Sequence, residues 1–236
     1  MVIESFAESI LKIKDKLNSK ELALLRGSLS MAIQEICPNG VLPKNNEELS
    51  LFKEYAYLIS RIQNHNKISE TGVNYFGRPS FMTDKLLNQL INEAKNEVRP
   101  RAIKQIGHYL GLGGTIADRI ALSNELNELV TTYTTQSTPT GIASYLFYEK
   151  VGDGLAAHVD TTSFSINVNI NLWHEAVGNK NSFLYVFDIN GEKMRKYYFK
   201  PGEIMITYGD SIVHGRSQLS VNESIGILTI GFTPRG

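Results

Sequence analysis

The sequence predicts an α+β protein in which helices precede an antiparallel β-sandwich or barrel. Apolar residues recur at three- and four-residue steps as far as about Pro139 and at every second position after it, so the two parts follow the helical and the extended period. Several short strands then follow one another with no helix between them, which is typical of antiparallel architectures. We expect one domain over 1–236, mainly helical over 1–138 and with the β-core over 139–236.

The first part of the chain predicts six helices, each with an apolar face. They cover Ile3–Leu17, Ser19 to the residue before Pro38, Asn46–Ile62, Thr83–Val98, Thr115–Leu122 and Ser123–Tyr133. Ser19 and Thr83 are expected to be N-caps, and the glycine-rich segment Gly72–Ser80 is expected to be a connector or a short edge strand. We expect the helices to pack on the outer face of the larger β-sheet, where they would cover an apolar surface.

The second part predicts six strands rich in β-branched and aromatic residues. They cover Ile142–Val151, Phe164–Trp173, Phe183–Ile189, Arg195–Lys200, Glu203–Tyr208 and Ser224–Phe232. The dipeptide Asn190-Gly191 is typical of a two-residue hairpin turn, and Pro201-Gly202 of a second turn. Polar and apolar residues alternate along Phe164–Trp173, so one face of this strand is polar. Whether that face lines the barrel or meets bulk water stays open.

Charge and composition exclude several kinds of partner. The chain has 24 basic and 24 acidic residues, so no net field attracts it to nucleic acid. No apolar run reaches the roughly 20 residues of a membrane span, and the N-terminus lacks a signal-peptide pattern. The single cysteine, Cys37, has no partner for a disulfide within the chain. We therefore expect a cytoplasmic protein whose partner is neither nucleic acid nor a membrane.

Three residues have the types and the spacing of a metal site. His158 and Asp160 are two positions apart, so an extended segment places both side chains on one face. His214 comes soon after the predicted strand Glu203–Tyr208. Two imidazoles and one carboxylate on one face of an octahedral ion leave three coordination positions open, which is the ligand set of non-haem Fe(II) oxygenases. We expect these three residues to bind one metal ion, with Fe(II) as the first candidate.

These segments also resemble a known family. Tyr148–Asp160, Pro201–Gly215 and the closing strand are similar to the double-stranded β-helix core, a jelly-roll or cupin-like barrel, of the Fe(II) and 2-oxoglutarate-dependent oxygenases. The resemblance covers roughly residues 142–232. It implies that the three candidate ligands bind iron, that 2-oxoglutarate chelates this iron and that O2 takes a remaining position. It also implies hydroxylation, desaturation or another oxidation and not halogenation, because members that install halogen have a small residue in place of Asp160.

The sequence departs from the family pattern at one place. Members usually carry an arginine or lysine near the start of the last strand, where it binds the far carboxylate of 2-oxoglutarate. Here that region reads Asn222-Glu223-Ser224-Ile225-Gly226. Arg216 is one candidate for the missing cation, and Lys150 and Arg235 are others. Tyr148 is a candidate for an additional hydrogen bond to the cosubstrate.

Further site residues depend on how the barrel is arranged. If the polar face of Phe164–Trp173 lines the barrel, Asn169 is expected to bind cosubstrate and Asn167 substrate. Tyr75 and Arg78 are expected to form part of a substrate lid, because recognition residues gather on loops. The expected substrate is a small molecule or a peptide-bound residue, and the helices are a candidate surface for a homodimer. Two other functions stay open: an iron oxygenase of this shape that does not use 2-oxoglutarate, and a non-catalytic jelly-roll binding module.

Overall fold

The helices of the computed structural model lie where the helical period predicts them. The structure describes residues 6–43, 45–63, 65 and 67–235, so the predicted helix start at Ile3 lies outside the described residues. The helices are α1 (Phe6–Ile13), α2 (Ser19–Ile36), α3 (Asn46–Ile62), α4 (Asp84–Asn92), α5 (Thr115–Ala121) and α6 (Asn124–Tyr133). None of the helices in this part of the chain is long and apolar enough to cross a membrane.

The strands form two antiparallel sheets that face each other. The strands are β1 (Tyr75–Gly77), β2 (Ile103–Gln105), β3 (His108–Leu112), β4 (Ser137–Tyr148), β5 (Leu155–His158), β6 (Ile166–Ala176), β7 (Leu184–Phe187), β8 (Met194–Tyr197), β9 (Ile204–Thr207), β10 (His214–Arg216) and β11 (Glu223–Pro234). The larger sheet has the order β1-β9-β6-β11-β4-β3-β2, and the smaller sheet β5-β10-β7-β8. From β4 to β11 the chain passes back and forth between the sheets, which is the winding of a double-stranded β-helix. The predicted fold class is therefore confirmed.

Four strands were not predicted from the sequence. These are β2, β3, β5 and β10, which are only three to five residues long. Three strands from the first 138 residues, β1, β2 and β3, extend the larger sheet at its two edges. The helical part of the chain is therefore joined to the β-core by shared hydrogen bonding.

The helices divide between the two sheets, whereas the sequence predicted that all of them would pack on the larger one. Helices α4, α5 and α6 do pack there, and their residues Leu90 and Val130 share a core with Tyr145 and Phe147 of β4. Helices α1, α2 and α3 pack instead on the smaller sheet, where the ring of Phe52 lies 4.6 Å from that of Phe187. The smaller sheet also has an apolar outer face, and helices must shield this face from water just as they shield the outer face of the larger sheet.

A buried carboxylate joins α4 to α5. The chain continues from α4 as a π-helical segment, Glu93–Val98. The carboxylate of Glu93 accepts hydrogen bonds from the first turn of α5, at Ile116 N (2.6 Å) and Ala117 N (3.0 Å), and from the hydroxyl of Tyr145 (2.6 Å). Glu93 thereby satisfies donors that a helix leaves free at its N-terminus.

Two local predictions were wrong. The N-cap of α2 is Asn18 and not Ser19, because Asn18 and Glu21 form a reciprocal capping box. The connection between β7 and β8 runs from 188 to 193 and is therefore longer than two residues. Within it, Asp188 accepts hydrogen bonds from the amides of Asn190 and Glu192. Of the dipeptide Asn190-Gly191, only the glycine has a positive φ, of 68°.

Candidate metal centre

The structure brings His158, Asp160 and His214 together. His158 is the last residue of β5 and His214 the first of β10, and the two are directly opposite in the antiparallel pairing of these strands. Asp160 follows two residues later, and its backbone amide donates to the carbonyl of Gly209 over 2.7 Å. One ligand atom from each of the three side chains lies within 4.8 Å of the others. This cluster has the size and the donor types of a site for one transition-metal ion.

Both imidazoles are oriented by backbone carbonyls. Nδ1 of His158 donates to the carbonyl of Ala156 over 2.9 Å, and Nδ1 of His214 to that of Ile212 over 2.8 Å. Because a carbonyl only accepts, each Nδ1 carries a hydrogen, and in the neutral imidazole this leaves the lone pair on Nε2. The two Nε2 atoms lie 3.3 and 3.4 Å from the two different oxygens of Asp160. Such outer hydrogen bonds are what orients histidine ligands in metal sites.

The polar face of β6 lines the inside of the barrel, which decides between the two alternatives left open by the sequence. Asn167 and Asn169 are both buried and line the cavity beside the cluster. The side-chain amide of Asn167 donates to Oδ2 of Asp160 over 2.7 Å. The structure thus gives Asn167, expected to bind substrate, a contact with the carboxylate of Asp160. This bond restricts the rotation of Asp160 from the side of the larger sheet.

The ionisation of the cluster follows from burial and from its internal charges. Burial by itself would lower the pKa of His158, but the hydrogen bond and charge of Asp160 outweigh this effect and raise it. Burial lowers the pKa of His214, which the charge of Asp160 only partly offsets. Burial would raise the pKa of Asp160, yet His214, His158 and Asn167 lower it. The carboxylate of Asp160 is therefore held ionised, and of the two imidazoles that of His158 is the more readily protonated.

The cluster lies on the wall of a cavity of about 430 Å³. Arg216 also lines this cavity, and its side chain points to the same side of β10 as His214, two residues away. Arg216 is only 4% exposed, and no carboxylate within the described residues lies within ion-pair distance of its guanidinium. Burial lowers the pKa of Arg216, which Tyr148 and Glu223 partly offset. A buried cation without a carboxylate partner is costly and points to a ligand of opposite charge.

Tyr148 lies against Arg216 in the same cavity. Its ring centroid is 5.4 Å from the guanidinium carbon of Arg216, and the residue is buried. Burial raises the pKa of Tyr148 to about 12, although Arg216 works in the opposite direction. The hydroxyl of Tyr148 therefore stays protonated at neutral pH and is available as a donor in the cavity.

The glutamate at the start of the last strand does not enter the cavity lining. Glu223 is buried and accepts hydrogen bonds from Nε2 of His174 (2.6 Å) and from three backbone amides. The three amides are those of Asn181, Ser182 and Ser220. Glu223 therefore holds the loops around β11 together. Its charge is satisfied locally, so it does not leave a free carboxylate facing the cavity.

Four other predicted residues lie away from the cavity. Tyr75 packs against the ring of Tyr133 at the edge of the larger sheet, with ring centroids 4.7 Å apart. Arg78 donates to the carbonyl of Met82 and forms an ion pair with Asp84. Lys150 and Arg235 do not line the cavity either. The structure therefore supports Arg216, and none of these four residues, as a group that faces the metal cluster.

Comparisons with known proteins identify the fold. No protein-family model matches the sequence, and no curated protein does. Among solved structures, SnoN, a non-haem α-ketoglutarate-dependent epimerase from nogalamycin biosynthesis, is 9% identical with a TM-score of 0.56, covering 80% of this chain and 84% of SnoN. HygX from Streptomyces hygroscopicus, solved with nickel, 2-oxoglutarate and hygromycin B, is 11% identical with a TM-score of 0.55, covering 70% and 84%.

A third structure has a different activity. A prolyl-4-hydroxylase from Pseudomonas putida is 11% identical with a TM-score of 0.52, covering 77% of this chain and 99% of the hydroxylase. Identities this low establish a shared fold and not a shared reaction. The chain therefore has the double-stranded β-helix fold of the Fe(II) and 2-oxoglutarate-dependent oxygenases.

Proposed function

We propose that the protein is a non-haem Fe(II) and 2-oxoglutarate-dependent oxygenase that hydroxylates an unactivated C–H bond. The convergence of His158, Asp160 and His214 carries this proposal: both Nε2 atoms are directed at one carboxylate on the wall of a cavity. The donor set fits Fe(II), since two imidazoles and one carboxylate leave coordination positions for cosubstrate and O2. When bound, iron with 2-oxoglutarate and O2 supplies the oxidising power for the reaction.

The chain itself positions these groups. The carbonyls of Ala156 and Ile212 hold the imidazoles, and the amide of Asn167 holds Asp160, so the three ligands are aligned before a metal binds. The carboxylate of Asp160 would itself occupy a coordination position, which favours hydroxylation over halogenation.

Arg216 supports the use of 2-oxoglutarate. Arg216 follows His214 by two residues, about 6–7 Å along the strand, and both residues line the cavity. A five-carbon diacid bound to the metal by its keto acid end would extend its far carboxylate in that direction. Arg216 would then gain the anionic partner that it otherwise lacks, and Tyr148 would add a hydroxyl donor. Asn169 lies in the same cavity and is a further candidate for a cosubstrate contact.

The substrate class is proposed more broadly. The neighbours with this fold include an epimerase from natural-product biosynthesis, a protein with bound hygromycin B and a prolyl hydroxylase. We therefore propose a small molecule or a peptide-bound residue, consistent with a cavity of about 430 Å³ that is open to solvent.

The direct test is O2-dependent formation of succinate from 2-oxoglutarate in the presence of Fe(II), with aminoglycoside, polyketide and prolyl-peptide substrates. We expect the wild type to form succinate and His158→Ala to form none, because the ion loses one of its three ligands. The matched control is His108→Ala, which removes another buried histidine that does not line the cavity. Absence of metal and 2-oxoglutarate binding in the wild type would contradict the proposal. Substrate oxidation without succinate would favour the oxygenase that does not use 2-oxoglutarate.

A further inference from the structure

Asp210 is a buried carboxylate outside the candidate ligands. It is 1% exposed and lies in the turn between β9 and β10. Its Oδ1 accepts hydrogen bonds from Nε2 of His65 (2.9 Å) and from the hydroxyl of Ser211 (2.7 Å). Its Oδ2 lies 3.7 Å from Nη1 of Arg26, which is itself buried in α2. Asp210 thus joins this turn to α2 and to the chain that follows α3.

The turn that Asp210 holds is in direct contact with Asp160. The carbonyl of Gly209 accepts the hydrogen bond from the backbone amide of Asp160, and this bond is 2.7 Å long. A Cβ atom at position 209 would collide with the carboxylate of Asp160 and with the carbonyl of Phe164. The backbone at Gly209 therefore packs directly against the candidate metal ligand, and a shift of the turn would move Asp160.

Helix α2 makes a second contact with the same ligand segment. The hydroxyl of Ser30 accepts a hydrogen bond from the backbone amide of Val159 over 3.1 Å, and Val159 lies between His158 and Asp160. Ser30 is four residues after Arg26, so both side chains point to the same face of α2. One helix face thus contacts the backbone of Val159 and the side chain of Asp210, which belong to the two segments that meet at Asp160.

We propose that Asp210 and Ser30 are positioning residues, through which α2 sets the place of Asp160 in the metal centre. This inference rests on the proposed function, since it concerns the same metal centre. A residue that only contributes to folding would change the stability of the protein and leave the metal affinity of the folded protein unchanged. A positioning residue changes the metal affinity as well.

The experiment is a titration of the purified protein with Mn(II), monitored by electron paramagnetic resonance, together with a urea unfolding curve for each variant. Asp210→Asn removes the charge that faces Arg26. Its control is Glu93→Gln, another buried carboxylate with several hydrogen bonds, on the outer side of the larger sheet. Ser30→Ala removes the acceptor for Val159, and its control is Ser60→Ala, since both serines are 6% exposed.

We expect both carboxylate variants to lose stability, but only Asp210→Asn to weaken Mn(II) binding, by about tenfold, as for other outer partners of metal ligands. Ser30→Ala should shift the Mn(II) affinity in the same direction, with Ser60→Ala unchanged. Wild-type Mn(II) affinity in both Asp210→Asn and Ser30→Ala would overturn the inference. If Asp210→Asn does not fold, the Mn(II) affinity of Ser30→Ala alone decides whether the inference holds. A wild type that binds no Mn(II) would instead contradict the proposed function.

Discussion

At the scale of single residues, Arg216 is the side chain whose environment is hardest to explain by folding alone. Its guanidinium is 4% exposed, and the carboxylate of Glu223 near it is already occupied by His174 and backbone amides. Removing a charge from water costs several kcal/mol unless a partner compensates. The burial of Arg216 therefore costs stability, and a role in binding an anion explains why the residue is there.

Replacement of Arg216 by an apolar residue should therefore affect stability and 2-oxoglutarate binding differently. Arg216→Met should leave the unfolding free energy of the metal-free protein unchanged or increase it, because a buried charge that Tyr148 and Glu223 compensate only in part is removed. The same variant should bind 2-oxoglutarate more weakly by about 100-fold or more, equivalent to roughly 3 kcal/mol of lost charged hydrogen bonds. Calorimetric titration of the Mn(II)-loaded protein measures this loss. Lys150→Met is the control, and equal loss in both variants would count against the role of Arg216.

Glu223 predicts a pH dependence of stability. Burial would raise its pKa, but hydrogen bonds from backbone amides and from His174 outweigh this and lower it below the ordinary 4.5. Ionised Glu223 thus stabilises the fold in full above pH 4.5, and this contribution is lost as the pH falls through the lowered pKa. Glu223→Gln should cost about 2 kcal/mol at pH 7. Urea unfolding should show that the difference in unfolding free energy between Glu223→Gln and wild type becomes smaller below pH 4.5. The control Glu175→Gln, at an exposed position, should have the unfolding free energy of the wild type at every pH.

Residue type and spacing were enough to predict which groups could bind a metal, but not what supports them. His158 and Asp160 could be paired from sequence because residues two apart on a strand share a face. The bond from Asn167 to Asp160 depends on which face of β6 turns inward, and the pairing of His174 with Glu223 joins residues 49 positions apart. Such contacts follow from sheet pairing, which a single sequence does not specify.

At the scale of elements, the long periodic helices were predictable, whereas four of the short strands were not. Helix α2 has 18 residues, so its apolar period repeats several times, whereas β10 has only three. The existence of β10 depends on hydrogen bonds to β5 and β7, which are distant in sequence. The same limitation explains the helices on the smaller sheet, since half of that sheet consists of unpredicted strands.

Helix α2 also predicts a stabilising substitution. Gly27 is exposed within the helix, and a Cβ atom there would meet no atom within 4 Å. Gly27→Ala should therefore raise the unfolding free energy by about 0.5–1 kcal/mol through the lower backbone entropy of alanine. Gly111→Ala is the contrasting variant, because its Cβ would collide with Val98, and it should destabilise the protein. A loss of stability in Gly27→Ala on urea unfolding would contradict the helical geometry at this position.

At the scale of the whole molecule, two sheets, each with its own helices, meet around the metal centre. The two histidines belong to the smaller sheet, and Asn167, which holds Asp160, belongs to the larger one. The site thus depends on the relative position of both halves of the barrel. The helical and β-rich parts of the sequence predicted this architecture in outline, but not how the strands from the first part close the larger sheet.

A metal that binds between these parts should stabilise the whole fold. At a free Mn(II) concentration 100 times the dissociation constant, binding to the folded state alone adds about 2.7 kcal/mol. For a chain of this length, that corresponds to a rise in Tm of roughly 5–10 °C. Differential scanning calorimetry should show this rise for the wild type and none for His158→Ala. An equal rise in the variant would place the ion elsewhere.

The direct pairing of His158 with His214 has a consequence for how the barrel is built. Side chains alternate between the two faces of a strand. A one-residue insertion in β5 or β10 would therefore turn one imidazole to the outside, while the two strands could still form their hydrogen bonds. A bound ion would therefore stabilise only the alignment of these two strands that directs both imidazoles to the same point. Among chains that have closed their barrel, only those with the native alignment would be trapped by the metal.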